Sequence, residues 1–205
     1  KFKINKPTLI LNIGGISNYT YCFNDTLAAK DIGPGNVLMD EYLKKTKGIN
    51  YDKNGDIASS GNINKDIIKQ FYEHEFYNVQ QNHSFNRNEF DFSFVKGLEF
   101  EDAVATLTYF TALIISQNIK KNFDNEIEII LCGGGRRNLA LVNHIKKLLK
   151  YKIKLIDEFS VDGDFIESQA FAYLSIRSYL KKPISYPSTT NVSSPVTGGE
   201  IKINY

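Results

Sequence analysis

The chain has 205 residues, of which 42% are hydrophobic and 23% are charged, a composition typical of one soluble globular α/β domain with its own core. A formal net charge of +2, with basic residues dispersed along the sequence, argues against a nucleic-acid-binding surface. No apolar stretch is long enough to span a membrane and no signal-peptide pattern occurs, so we expect a cytoplasmic protein with no membrane partner.

The two cysteines and three histidines give no sign of a disulfide framework or a metal site. Cys22 and Cys132 both lie in apolar, strand-like runs, where a free cysteine usually behaves as a small buried hydrophobe. The histidines do not show the spacing of metal ligands. We therefore assign no metal-binding side chains.

The start of the chain predicts a β-hairpin with a glycine-rich tip. Residues 8–13 and 18–23 are strand-like and are separated by Gly14-Gly15-Ile16-Ser17. A tight turn explains the glycine pair without any ligand, because Gly-Gly is a preferred turn sequence. A ligand that approaches the main chain closely explains it equally well.

A third strand and a helix follow the hairpin. Residues 26–32 are strand-like, Gly33-Pro34-Gly35-Asn36 interrupts the chain, and residues 37–47 have helical spacing. Asp31 and Asn36 flank the interruption. The turn either only separates the strand from the helix or is a rigid support for polar groups that hold the hydroxyls of a small ligand.

The middle of the sequence predicts an insertion that covers about residues 50–100. Residues 50–61 alternate acidic and amide side chains as a calcium loop does, but the twelfth position counted from Asp52 is Ile63 instead of glutamate, so we predict a polar loop. Residues 62–76 favour a helix. Residues 77–89 show no period and indicate an irregular excursion.

The last third alternates helices and strands. The longest helix is predicted to open at Glu101-Asp102 and to end near Phe123. A buried strand then runs from Ile127 into Gly133-Gly134-Gly135, and a helix is predicted over residues 139–149. Three consecutive glycines lose much backbone entropy on folding, which is easiest to explain where a flat ligand or a phosphate must approach the main chain.

A strand is predicted over residues 152–156, and the final long helix over residues 164–179. Asp164 followed by Glu167 matches a capping box, so a purely structural role for Glu167 stays open. The tail beyond Pro183 is rich in Ser, Thr, Pro and Gly and ends in a strand-like piece at residues 200–205.

A strand meander followed by alternating helices and strands is the order of a ribonuclease-H-like (actin-like ATPase) α/β domain. We therefore expect a mixed five-stranded sheet flanked by helices, with a helical insertion. In this fold the tip of the first hairpin and the loop after the fourth strand both approach a nucleotide. Both places are rich in glycine here, and two weak signals at the two expected positions are stronger than either alone.

Four segments in this order resemble anhydro-N-acetylmuramic acid kinase. They are Leu-Asn-Ile-Gly-Gly-Ile-Ser-Asn at residues 11–18, Asp-Ile-Gly-Pro-Gly-Asn at 31–36, Cys-Gly-Gly-Gly-Arg-Arg-Asn at 132–138, and Gly-Asp-Phe-Ile-Glu-Ser-Gln-Ala-Phe-Ala at 163–172. The resemblance spans nearly the whole chain. It implies a bacterial enzyme of peptidoglycan recycling that uses ATP and Mg²⁺. The enzyme opens the ring of 1,6-anhydro-N-acetylmuramic acid with water and phosphorylates the sugar at O6.

The resemblance also implies a role for individual residues. Asp31 matches the base that acts on the attacking water, and Glu167 matches a second active-site carboxylate, as suits a reaction that must deprotonate water. Gly33 and Asn36 would face the sugar. The residues implied in cofactor binding are Gly14, Gly15 and Asn18, toward the phosphates, and Gly133, Gly134, Gly135 and Asn138, toward the adenosine.

Two departures from the family pattern lead to a hypothesis about the chain as a whole. The family has a further phosphate loop, Gly-Thr-Ser-x-Asp, upstream of the hairpin, and this sequence begins after it. The Asn86-Arg87-Asn88-Glu89 stretch matches the family only loosely, so we assign no role to Arg87. We expect residues 1–205 to be a single C-terminal domain, inactive alone, whose partner is the N-terminal half of the kinase. A homodimer is a further option.

Two other classes of protein stay open at this stage. A dinucleotide-binding oxidoreductase would use the strand, the Gly133-x-Gly135 turn and an acid at Asp157, although Asn138 replaces the third glycine of that fingerprint. A non-catalytic interaction module would bind a partner without any effect of nucleotide.

Overall fold

The computed structural model describes residues 4–73, 85–123, 126–200 and 202. Its sheet is mixed, with an antiparallel meander at one side and parallel strands at the other. The strands are β1 (Thr8–Ile13), β2 (Ile16–Phe23), β3 (Thr26–Pro34), β4 (Glu128–Cys132) and β5 (Lys152–Leu155). Their order across the sheet is β3-β2-β1-β4-β5, which confirms the expected ribonuclease-H-like fold.

Helices connect and cover these strands. Those of the described residues are α1 (Val37–Lys47), α2 (Asp56–Ser60), α3 (Lys65–Glu73), α4 (Phe100–Asn122), α5 (Leu139–Leu148), α6 (Ile166–Tyr179) and α7 (Pro187–Thr190). Short 3₁₀ turns occupy Lys53–Gly55, Arg87–Glu89, Ser93–Val95, Gly134–Arg137 and Ile156–Phe159. Within the described ranges, no helix is both long enough and apolar enough to cross a membrane.

The main core lies on one face of the sheet. Leu9, Leu11 and Ile129 are fully buried there with Leu107 and Phe110 of α4. The side-chain amide of Asn118 fastens α4 to the sheet by donating to the carbonyl of Ile32 at 3.1 Å. The opposite face carries a much smaller buried cluster, formed by Ile130, Cys132 and Ile156.

The prediction of a polar loop over residues 50–61 is wrong in part, because this stretch contains a 3₁₀ turn and α2. Asp52 is buried and accepts the backbone N–H groups of Ile57 and Ala58, each at 2.9 Å. These bonds satisfy donors at the start of a five-residue helix that is too short to show a period.

Three sequence predictions lie wholly or partly outside the described residues. They are the end of the helix predicted over residues 62–76, most of the excursion over residues 77–89, and nearly all of the strand predicted over residues 200–205.

Candidate functional site

The glycine-rich turns lie at the edge of the sheet where the parallel strands end. β1 and β4 run side by side, and their register pairs Asn12 with Cys132. β3 ends at the same edge, because β3 and β1 are both antiparallel to β2. In α/β sheets, ligands bind in the crevice outside the carboxyl ends of the strands. The turns that follow β1, β3 and β4 therefore occupy the expected place for a binding site.

The turn after β1 is hydrogen-bonded to the turn after β3. Gly35 and Asn36 donate their backbone N–H groups to the carbonyls of Gly15 and Gly14, at 2.9 Å and 2.8 Å. Val37, the first residue of α1, also donates to the Gly15 carbonyl, at 3.2 Å. A Cβ on Gly35 would lie 2.2 Å from the Gly14 oxygen, so this close approach requires a glycine.

The triple-glycine turn is pressed against the end of β1. Gly133 has a φ of +78°, and a Cβ there would lie 2.4 Å from Oδ1 of Asn12 and 2.6 Å from the carbonyl oxygen of Ile13. A Cβ on Gly135 would lie 2.3 Å from Cγ2 of Ile13. The side-chain amide of Asn36 faces the same turn, with its Oδ1 3.1 Å from that position. The two glycine turns therefore converge on one edge of the sheet.

Gly14 and Gly134 differ from these neighbours. A Cβ on Gly14 would have its nearest contact at 3.5 Å, with the carbonyl oxygen of Ile16. A Cβ on Gly134 would have its nearest contact at 3.8 Å, with Nδ2 of Asn36. Both separations are ordinary van der Waals distances. The protein's own packing therefore does not require a glycine at either position.

A cavity of about 410 Å³ lies between α1, the Lys53–Gly55 turn and the triple-glycine turn. It is lined by three residues predicted for the site, Asn36, Gly134 and Asn138. The sequence analysis gave no binding role to the other lining residues, which are Met39, Asp40, Tyr51, Asp52, Lys53, Asn54, Arg137 and Asp164. Tyr51 is 62% exposed in the structure. In the sequence, the only sign of a binding role for it is that an aromatic residue stands within the polar stretch of residues 50–61.

The side chain of Asn138 has a structural role in this arrangement. Its Oδ1 accepts the backbone N–H of Leu141 at 3.0 Å and thereby caps α5. A Cβ on Gly55 would lie 2.3 Å from the same oxygen, so the 3₁₀ turn packs directly on this cap. Asn138 thus fixes two walls of the cavity relative to each other.

Asp31 and Asn18 lie together elsewhere. They are register partners on β3 and β2, and both line a second cavity of about 320 Å³ that is closed by α7 and Asn191. Oδ2 of Asp31 accepts the backbone N–H of Phe85 at 3.2 Å. Glu167 is exposed in the first turn of α6. The catalytic roles of both carboxylates stay predictions.

The packing of the protein itself explains why residue 33 is a glycine. Its φ is +133°, and a Cβ there would lie 2.6 Å from Cγ2 of Ile114 on α4. This contact accounts for the glycine without any ligand. Its sugar contact stays a prediction.

Arg136 joins the triple-glycine turn to the start of α6. Its buried guanidinium donates Nε and Nη2 to the two carboxylate oxygens of Asp157, at 2.8 Å and 3.2 Å. Nη1 donates to the Gly133 carbonyl at 3.1 Å, and Nη2 also reaches Asp164 at 2.9 Å. These bonds lower the pKa of Asp157 to about 2, chiefly through the hydrogen bonds from Arg136. The sequence analysis gave Arg136 no role.

The capping box that the sequence pattern left open at the start of α6 does not form. The residue at the N-cap position is Phe165, and no side chain caps this helix end. The carboxylate of Asp164 pairs with Arg136 and Arg137 instead. Asp164 therefore does not cap its own helix but contacts two arginines that precede it in the sequence by 28 and 27 residues.

The arrangement does not favour the dinucleotide-binding alternative. Three of the five strands form an antiparallel meander, whereas that fold has a mostly parallel sheet. Asp157, the acid that would bind a ribose, is engaged by Arg136 and by the backbone N–H of Gly163 at 3.3 Å.

Comparison with known proteins gives one family. A family model described as anhydro-N-acetylmuramic acid kinase matches residues 2–204. A protein of that name from Pelagibacter ubique (strain HTCC1062) is 49% identical over 99% of this chain and 57% of its own length. Those from Zymomonas mobilis subsp. mobilis and Methylorubrum populi are each 37% identical, over 95% and 94% of this chain and 54% and 52% of their own lengths. The chain thus spans about half the length of the curated relatives it matches.

Two solved structures match part of this chain at low sequence identity. The activator of the 2-hydroxyisocaproyl-CoA dehydratase from Clostridium difficile with bound ADPNP is 17% identical, with a TM-score of 0.48 over 75% of this chain and 55% of that one. Component A of the (R)-2-hydroxyglutaryl-CoA dehydratase from Acidaminococcus fermentans is 12% identical, with a TM-score of 0.43 over 72% and 54%. At these identities the likeness concerns the fold alone.

The ion pair between Arg136 and Asp157 makes stability depend on acid pH. The folded state lowers the pKa of Asp157 from 3.8 to about 2, so its stabilising contribution is present above about pH 4 and is lost between about pH 4 and pH 2. We expect Asp157→Asn to flatten the fall in the free energy of unfolding over this interval, measured by urea denaturation. Asp25→Asn, which removes an exposed carboxylate between β2 and β3, should keep the wild-type slope. Equal slopes for wild type and Asp157→Asn would contradict this account.

Proposed function

The chain belongs to the anhydro-N-acetylmuramic acid kinase family, and we propose that it is the C-terminal, nucleotide-binding half of an ATP-dependent kinase. The reaction is the opening of 1,6-anhydro-N-acetylmuramic acid by water together with phosphorylation of the sugar at O6. Its place is peptidoglycan recycling in the bacterial cytoplasm. The proposal is supported by the names of the relatives and by the space left at two glycines of the site.

That space is the observation that carries the nucleotide proposal. Gly14 and Gly134 lie on converging turns, and neither needs to be a glycine for packing. Phosphates favour bare main chain and the first turn of a helix, where backbone N–H groups are free to donate. The cavity of about 410 Å³ beside Gly134 falls within the usual size of a small-molecule site. We propose that it holds the adenosine, with Tyr51 as an aromatic surface for the base.

The reaction needs a base and a way to offset phosphate charge. We propose that Asp31 accepts the proton of the attacking water and that Glu167 is the second carboxylate of the site. Gly33 and Asn36 would face the sugar. Mg²⁺ would neutralise phosphate charge and would be held mainly by phosphate oxygens and water, its usual mode of binding.

The second half of the kinase would complete the site. The relatives carry a length of polypeptide outside the aligned region that is comparable to the aligned part itself. We propose that this part provides the upstream phosphate loop and further sugar contacts. Residues 1–205 would then bind nucleotide weakly and would not turn over the sugar on their own.

Substitution of the open glycines tests nucleotide binding separately from folding. We expect Gly14→Ala and Gly134→Ala to keep the wild-type Tm, because each Cβ has room, and to weaken binding of a fluorescent ATP analogue at least tenfold, because the methyl group occupies the space of a phosphate or ribose. Gly198→Ala is the matched control, since a Cβ there lies 3.4 Å from its nearest atom and far along the tail. Unchanged affinity in both site variants would contradict the proposal.

Catalysis is tested in a protein that contains both halves. The part of the Pelagibacter ubique kinase outside the alignment is joined to this chain in its native order, and ring-opening and phosphorylation are assayed with ATP. We expect turnover by the fusion, none by residues 1–205 alone, and a roughly 10²- to 10⁴-fold lower kcat for Asp31→Asn, the usual contribution of a general base. Nucleotide affinity should be unchanged by Asp31→Asn. Ring-opening by the chain alone, or a wild-type rate for Asp31→Asn, would refute these assignments.

A further inference from the structure

α6 differs from the other long helices because none of its 14 residues is buried. It is anchored at its start, where Ile166 packs against the small cluster on the second face of the sheet and Asp164, just before the helix, pairs with Arg136. At about 1.5 Å per residue, the helix extends roughly 21 Å from this anchor. Most helices in proteins gain their stability from packing of an apolar face, so an uncovered helix of this length implies a missing contact.

Apolar side chains lie along one side of α6 and at its two caps, and we call this set the α6 stripe; the polar Ser168 and Gln169 interrupt it after the first turn. It consists of Phe165, Ala172, Tyr173, Ile176, Tyr179 and Leu180. Spacings of three, four and seven residues place them on one face of the helix. Its large members are 53% to 70% exposed. An exposed apolar patch of this kind marks a protein–protein contact more often than free surface.

The tail of the chain lies beside the C-terminal part of the helix. Arg177 donates from Nε to the carbonyl of Pro183 at 2.7 Å, and from Nη2 to the hydroxyl of Tyr186 at 2.6 Å. Ser178 donates its hydroxyl to the carbonyl of Gly198. These bonds fix the C-terminal end of α6. Ile176, Tyr179 and Leu180 border a cavity of about 600 Å³ together with tail residues, and they stay 53% to 70% exposed.

The charge and polarity of the stripe indicate the class of partner that would bind it. α6 contains only two charged residues, Glu167 in its first turn and Arg177, which the tail engages. Two exposed lysines, Lys181 and Lys182, follow the stripe. A pair of basic residues is smaller than the clusters of about four to eight that bind anionic lipid, and it gives little attraction for nucleic acid. An apolar protein surface is the complement that gains most from burying it.

The position of the stripe indicates which protein surface would bind it. It leads away from Asp164, which pairs with Arg137, and both residues border the cavity of about 410 Å³. A second domain that closes over this cavity would lie alongside the helix that leaves its rim. The relatives carry a comparable length of polypeptide outside the region aligned with this chain. We propose that the α6 stripe is the docking surface for that other part of the kinase, an inference that rests on the proposed function.

A substitution made in two contexts tests the docking surface. Ile176→Glu is introduced into residues 1–205 alone and into the fusion that carries the remainder of the Pelagibacter ubique kinase. In the chain alone, Tm should change by no more than about 2 °C, because the residue stays exposed. In the fusion, Tm should fall by roughly 5 °C or more, because a charge is buried without a partner. Leu27→Glu, which changes an exposed leucine on β3, should have a small effect in both contexts.

Each outcome bears on one proposal. Equal changes in Tm for Ile176→Glu in the two contexts would overturn the docking surface. It would also be overturned if light scattering showed that the chain alone is a dimer and that Ile176→Glu dissociates this dimer, because a second copy would then cover the stripe. If the fusion loses stability as expected but transfers no phosphate, the docking surface stands and the proposed reaction fails. If the fusion is active and Ile176→Glu is harmless, the reaction stands and the docking surface fails.

Discussion

The parallel pairing of β1 with β4 is the constraint on which the site depends. This pairing places the ends of two strands that are 120 residues apart in the sequence next to each other, with Asn12 opposite Cys132. The turns that follow have no freedom to separate, because Gly133 and Gly135 are pressed against Asn12 and Ile13. Backbone hydrogen bonds then add the turn after β3. Three separate turns are thereby held as one rigid surface of main-chain groups.

This rigid surface is also connected to the start of α6, a helix in which no residue is buried. Arg136 holds the Gly133 carbonyl, Asp157 and Asp164 together through one buried guanidinium. A planar guanidinium satisfies several acceptors at once, whereas a lysine would present a single point charge. The start of α6 is therefore joined to the triple-glycine turn by Arg136, and Arg137 of the same turn also pairs with Asp164.

The sequence predicted the elements that depend on local pattern. The strands, the turns and the helices over residues 37–47 and 139–149 follow from period and glycine position, and the structure places them within one or two residues. Contacts between distant residues were not predictable in this way. Asp164 matched a local cap but pairs with arginines far upstream, and Tyr51 lines the cavity next to a 3₁₀ turn that packs on Asn138. Neither the periodicity of apolar residues nor the spacing of motifs in the sequence predicts such contacts.

The central claim is that the two glycine turns bind one nucleotide, and amide NMR spectra of the ¹⁵N-labelled chain measure this most directly. Titration with a Mg²⁺ complex of a non-hydrolysable ATP analogue should shift the amide signals of Gly14, Gly15, Gly134 and Gly135 together, with a single dissociation constant. The signal of Gly198, on the tail, should stay in place. Shifts at only one of the two turns, or shifts at both that are no larger than that of Gly198 at the highest analogue concentration, would contradict the account.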